Sequence, residues 1–164
     1  MATPTPLISP ASRLASYFAT DPSTHLQKWN ELWDEKFTPW DQGTSNPALH
    51  DAILSHPELF SASPSENGNQ KRKRALVPGC GRGYDVFVLA EMGYETWGLE
   101  GSRVAVDICR GEAGRKERVG FVEGDFFETG WEEKCGGADF DLIYDYTVSV
   151  PLTSEIYIFL LGFG

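Results

Sequence analysis

The junction between residues 75 and 90 constrains this chain more than any other feature. Ala75-Leu76-Val77 is a short apolar run, Pro78-Gly79-Cys80-Gly81-Arg82-Gly83 follows directly, and then Val86, Phe87, Leu89 and Ala90 recur at helical spacing. A strand, a glycine-rich bend and a helix in unbroken succession suit a small-ligand turn. Glycines lack Cβ, so the bend can be tight and a ligand can lie against the backbone. The first amides of the helix have no intrahelical acceptor and point at that ligand.

The alternation continues. Gly93 ends the helix, Thr96–Glu100 reads as a second strand, and Ser102 caps a helix whose apolar face carries Val104, Ala105, Ile108 and Cys109. Val119–Val122 reads as a third strand and Phe140–Tyr146 as a fourth. Strands separated by helices require parallel pairing through right-handed crossovers. The expected class is therefore α/β, a Rossmann-like doubly wound sheet with its ligand at the carboxyl ends of the strands.

Ahead of this core, Leu26, Trp29, Trp33 and Phe37 mark one face of a helix running from Ser23 to about Phe37. Ser23 or Thr24 is its expected cap and Pro39 its expected stop. A second helix is expected from Pro47 to about Ser55, with Asn46 as N-cap and Pro47 at the first helical position. The chain divides into a flexible leader (1–22, with a short helix near Arg13–Phe18), an N-terminal helical cap (23–60), a flexible polar linker (61–74), a core (75–147) and an apolar tail (148–164). The basic run Lys71-Arg72-Lys73-Arg74 reads as a solvated loop entering the first strand.

Composition removes several function classes. The net charge of −10 disfavours nucleic acid as the main partner. Cys80, Cys109 and Cys135 are odd in number and lack Cys-x-x-Cys spacing, which argues against a disulfide framework or a metal site. No signal-peptide pattern and no run near the ~20 apolar residues of a membrane span is visible. A cytoplasmic location is the expectation.

The ligand can be narrowed. The nicotinamide fingerprint, counted from Gly79, needs Gly or Ala at position 84, where Tyr84 stands. Glu100 ends the second strand 21 residues after Gly79, and a carboxylate there can accept both hydrogen bonds of a ribose diol. The competing reading is an exposed acid at a turn. Gly124-Asp125-Phe126 follows the third strand: Asp125 can accept from an adenine amine and Phe126 can lie against a base, or the segment is a plain turn. By helical spacing alone, Trp29 and Trp33 read as ordinary core.

Three ordered blocks carry a family resemblance. They are Trp29-x₃-Trp33-x₆-Trp40 with Phe37-Thr38-Pro39-Trp40-Asp41-Gln42-Gly43, then Leu76-Val77-Pro78-Gly79-Cys80-Gly81-Arg82-Gly83-Tyr84-Asp85, then Asp139-Phe140-Asp141-Leu142-Ile143-Tyr144-Asp145-Tyr146. Over about residues 25 to 147 the chain resembles the thiopurine methyltransferase-like family, nearest the thiol and halide methyltransferase branch. The resemblance implies S-adenosylmethionine as cofactor, held by Trp29, Trp33, Trp40, Gly79, Gly81, Glu100, Asp125, Phe126 and Tyr146. It implies a small-molecule acceptor; from composition, no nucleic acid, no membrane and no metal are expected. Tyr146 is the candidate nearest the acceptor; no catalytic residue is assigned.

The likeness stops after Thr147, where Val148-Ser149-Val150-Pro151 and the run to Gly164 depart from the family pattern. The expectation is a truncated chain, lacking about a third of the domain, whose fourth strand is an exposed edge and whose turnover is weak or absent. The functional expectation is methyl transfer to a thiol, hydrosulfide or halide. The alternatives are a non-catalytic cofactor-binding fragment and a nicotinamide-dependent oxidoreductase.

Overall fold

The structure, a computed structural model, describes residues 9–19, 21–61, 72–146 and 157–160, the last four by backbone alone. Most of the expected linker and tail lies outside the described residues.

The N-terminal part is three helices. Helix α1 (Pro10–Phe18) starts at Ser9, whose hydroxyl accepts from Ser12 N–H at 3.2 Å. A 3₁₀ turn at Pro22–Thr24 opens on Asp21, whose carboxylate accepts from Ser23 N–H at 2.9 Å. Helix α2 (His25–Asp34) follows. Two details differ from expectation. Thr24 stands at the cap position without a side-chain cap bond, because the 3₁₀ turn has already satisfied this end. The stop is Lys36, at φ 57°, well before Pro39. A left-handed residue turns the chain where the helix would have continued. Helix α3 (Pro47–Ser55) agrees with its expected bounds, and the Asn46 side chain accepts from Ala48 N–H at 2.9 Å.

The core alternates β1 (Arg74–Pro78), α4 (Tyr84–Glu91), β2 (Glu95–Glu100), α5 (Arg103–Ala113), β3 (Val119–Glu123), a short α6 (Trp131–Lys134) and β4 (Leu142–Asp145). A fifth strand, β5, spans Tyr157–Leu160. The sheet order is β3-β2-β1-β4-β5. The first four strands are mutually parallel, in the Rossmann-like arrangement the alternation implies. The fifth is antiparallel to β4, with Leu142 opposite Leu160 and Asp145 opposite Tyr157. This corrects the expectation of an exposed β4 edge. Part of the apolar tail supplies the ladder hydrogen bonds that β4 would otherwise lack, and the edge moves to β5.

Parallel strands covered on both faces are apolar throughout, and β1 is buried at all five positions. Ala75 and Val77 face Val86, Leu89, Val106, Cys109 and Phe121, the side covered by α3, α4 and α5. Leu76 faces the other way, onto Leu99, Val122, Trp131 and Phe140.

The solvated-loop reading of the basic run holds for Arg72 and Lys73, both exposed and outside any strand, and fails at Arg74. Arg74 is the first residue of β1 and is 4% exposed. Its guanidinium donates to the carbonyls of Cys135, Gly137 (3.3 Å) and Asp139 (3.1 Å) and lies 4.6 Å from the Phe140 ring centroid. Those carbonyls belong to the segment before β4, and Cys135 is buried. Replacing Arg74 with methionine takes the guanidinium donor from the buried Cys135 carbonyl and removes the bonds to Gly137 and Asp139. We expect a loss of about 2 kcal/mol, read as a fall in thermal midpoint of about 6 °C; an unchanged midpoint contradicts this role.

Candidate cofactor site

The site is built where β1, β2 and α2 meet. After Pro78 the chain bends through Gly79, Gly81 and Gly83, at φ 58°, 53° and 77°. Only residues without Cβ adopt three such angles cheaply. Cys80 N–H donates back to Leu99 O at 3.2 Å, so the bend is pinned to the end of β2. At that end stands Glu100, 9% exposed. One carboxylate oxygen accepts from Gly81 N–H at 3.0 Å, and the other accepts from Ser102 N–H at 3.0 Å. Burial pushes the Glu100 carboxyl above the usual range, while the amides of Ser102, Gly81 and Gly101 oppose that rise. An acid turned inward at a strand's carboxyl end is a preorganised acceptor, not a surface charge.

The indoles reach this turn from α2. Trp33 is buried, and its Cζ2 lies 3.8 Å from the position a Cβ on Gly81 would take. Trp40 stands edge-on to Trp29 at 4.9 Å and to Trp33 at 5.9 Å between centroids. Trp29 is the outer member, 37% exposed, with the Phe18 ring at 4.5 Å. The three rings thus form one group beside the glycine bend.

Charge pairs lock the layers together. Arg82, inside the bend, pairs with Asp41 beside Trp40 and with Glu112 of α5 at 3.1 Å. Asp85, at the start of α4, accepts from Asn46 N–H at 2.8 Å and so holds the beginning of α3; burial raises its pKa. Under the bend, the Cys109 thiol donates to Gly81 O at 2.8 Å. The Cys80 thiol is pushed well up by its hydrogen bond with Cys109 and by burial. Sequence reading did not single out Arg82, Asp41 or Cys109 as site residues. Arg82 and Asp41 lie inside recognised blocks, but their pairing across 41 residues has no sequence signal.

The remaining candidates are placed less centrally. Gly124 N–H donates to Glu100 O at 3.1 Å, which sets the Asp125–Phe126 turn beside the end of β2. One Asp125 carboxylate oxygen accepts from Phe127 N–H at 2.9 Å. The Phe126 ring packs 6.0 Å from Trp131, on the Leu76 side of the sheet. Tyr146 follows β4 and packs, half-buried, against the cluster containing Leu142 and Tyr144. Among the described residues, no group of three or more His, Cys, Asp or Glu is arranged for a metal, and no helix is long and apolar enough to cross a membrane.

The chain is 34% identical over 122 residues to probable thiol methyltransferase 2 of Arabidopsis thaliana, covering 73% of this chain and 46% of that protein. It is 34% identical over 131 residues to thiocyanate methyltransferase 1 of Brassica oleracea, covering 78% of this chain and 50% of that protein. The chain thus spans about half the length of the curated relatives it matches. A solved structure from work on the conversion of a disulfide bond into a thioacetal group during echinomycin biosynthesis superposes with a TM-score of 0.53 at 26% identity, over 74% of this chain and 46% of that one. The thiopurine S-methyltransferase family model matches residues 24–157, spanning both the tryptophan helix and the glycine turn. With its buried strand-end acid and its indoles gathered at the bend, this chain belongs to the thiopurine S-methyltransferase family.

Proposed function

We propose that the site binds S-adenosylmethionine and serves methyl transfer to a small soft nucleophile: a thiol, hydrosulfide or halide. One observation carries the reading: the inward-facing Glu100 carboxylate, tied to the glycine bend, lies under the same turn that Trp33 covers. The residues fit this cofactor. Glu100 offers acceptor lone pairs for a ribose diol. Gly79 and Gly81, having no Cβ, would let the amino-acid end lie close against the backbone. Trp33, Trp40 and Trp29 offer ring faces to a sulfonium, an attraction of roughly 0.5–2 kcal/mol. Asp125 would accept from the adenine amine, Phe126 would lie along the base, and Tyr146 would stand nearest the acceptor.

When bound, the cofactor supplies an electrophilic methyl group. The chain's own residues orient it and exclude water, since an in-line displacement depends chiefly on alignment. A thiol with pKa about 8.5 is already partly ionised near neutral pH, so the site needs no strong general base. The cysteines described are free, which suits a reducing, cytoplasmic setting.

Binding and turnover are tested separately, because the chain spans about half of its relatives. Calorimetric titration with S-adenosylmethionine and S-adenosylhomocysteine is expected to give saturable heats, and NADH none. Heat with NADH alone would reverse the assignment. Methylation assays with hydrosulfide, a small thiol and iodide then decide whether this chain turns over or only binds.

A further inference from the structure

Helix α2 does more than carry tryptophans. Leu26, Asn30 and Trp33 lie four and three residues apart and share one face. Leu26 is seated on Gly101, its Cδ2 2.1 Å from where a Cβ there would stand. Trp33 lies on Gly81. Between them, Asn30 Oδ1 accepts from Ser102 Oγ–H at 3.0 Å and from Val104 N–H at 3.3 Å. Ser102 is fully buried, and its hydroxyl also accepts from Ala105 N–H at 3.3 Å as the cap of α5. The Ser102 N–H is one of the amides that hold Glu100, at 3.0 Å. Gly101, beneath Leu26, and Gly81, beneath Trp33, are the others. One helix face therefore rests on the peptide units that aim the carboxylate.

We propose that Asn30 is a positioning residue for cofactor binding. Through Ser102 it orients the Glu100 carboxylate, so that docking of the tryptophan helix and presentation of the ribose acceptor are one event. This rests on the cofactor site proposed above. A bystander capping role would also stabilise α5, but it would leave ligand affinity unchanged in the folded protein.

The test titrates the 164-residue chain with S-adenosylhomocysteine at a temperature where every variant is folded, with thermal midpoints measured alongside. Asn30→Leu removes the acceptor at similar size. Asn30→Ser keeps a polar surface but is too short to reach Ser102, and it decides the matter if the leucine variant does not fold. Asn30→Asp keeps both accepting bonds, and its charge suits a helix N-terminus. Leucine and serine are expected to weaken binding about tenfold, and aspartate to stay within about threefold. Wild-type affinity in the leucine or serine variant, or an aspartate variant as weak as serine, overturns the proposal. If the wild-type chain itself gives no heat, the cofactor reading fails and this inference with it.

Discussion

Replacing Glu100 with alanine is expected to weaken S-adenosylhomocysteine binding by about 100-fold. Two hydrogen bonds from ribose hydroxyls to a charged acceptor contribute about 1.5 kcal/mol each, and every 1.4 kcal/mol is tenfold in affinity. The same carboxylate predicts a pH dependence with opposite signs for binding and stability. Burial raises its pKa, so it takes up a proton at a higher pH than an exposed glutamate. Cofactor affinity should fall as pH drops through that raised value, because the protonated acid loses part of its acceptor capacity. For the fold the sign reverses. The neutral acid is the better tolerated buried form, so the Glu100 contribution to stability is full below its ordinary pKa and is lost as pH rises through the raised one. Calorimetric affinities and thermal midpoints across the acid range, wild type against Glu100→Gln, measure both. A binding curve whose acid limb is the same in the two proteins would show that another group controls it.

Gly83→Ala is expected to cost about 3 kcal/mol of stability. Gly83 sits at φ 77°, where an L side chain is penalised by about 1–2 kcal/mol. A Cβ there would lie 2.6 Å from Phe121 Cε1 and 2.8 Å from its Cζ, and the Phe121 ring is itself packed edge-on to Phe87 at 5.9 Å. Forcing that ring aside adds an overpacking cost of about 1–3 kcal/mol. The thermal midpoint should fall by about 10 °C. Gly111→Ala is the control, since a Cβ at that helical position meets nothing within 4 Å. A Gly83→Ala midpoint matching that of Gly111→Ala would mean that the bend relaxes more freely than its contacts indicate.

These two residues show how unequally the chain encodes its own structure. Gly83 was legible as part of a bend, since strand, glycines and helix follow one another locally. What it packs against was not, because Phe121 arrives from β3 across the sheet. Arg74 was misread for a related reason. Within a basic run its charge suggests solvent, and the carbonyls at Cys135–Asp139 together with the Glu95 carboxylate at 3.7 Å make burial tolerable. The β4 edge was misjudged because an antiparallel partner from 157–160 obeys no periodicity that β4 displays.

Local order alone therefore determined the succession of strands and helices, the tight glycine bend, the helix caps at Asn46 and Ser102, and the tryptophan face of α2. Each depends on residues within a turn or two of one another, where backbone sterics and side-chain period act directly. Tertiary structure alone decided that Glu100 is buried with both carboxylate oxygens hydrogen-bonded to backbone amides, that Arg82 joins Asp41 to Glu112, and that Asn30 reaches Ser102. Those outcomes depend on which surfaces meet when the sheet and the helical cap close, and hydrogen-bond partners dozens of residues apart leave no spacing in the sequence to read.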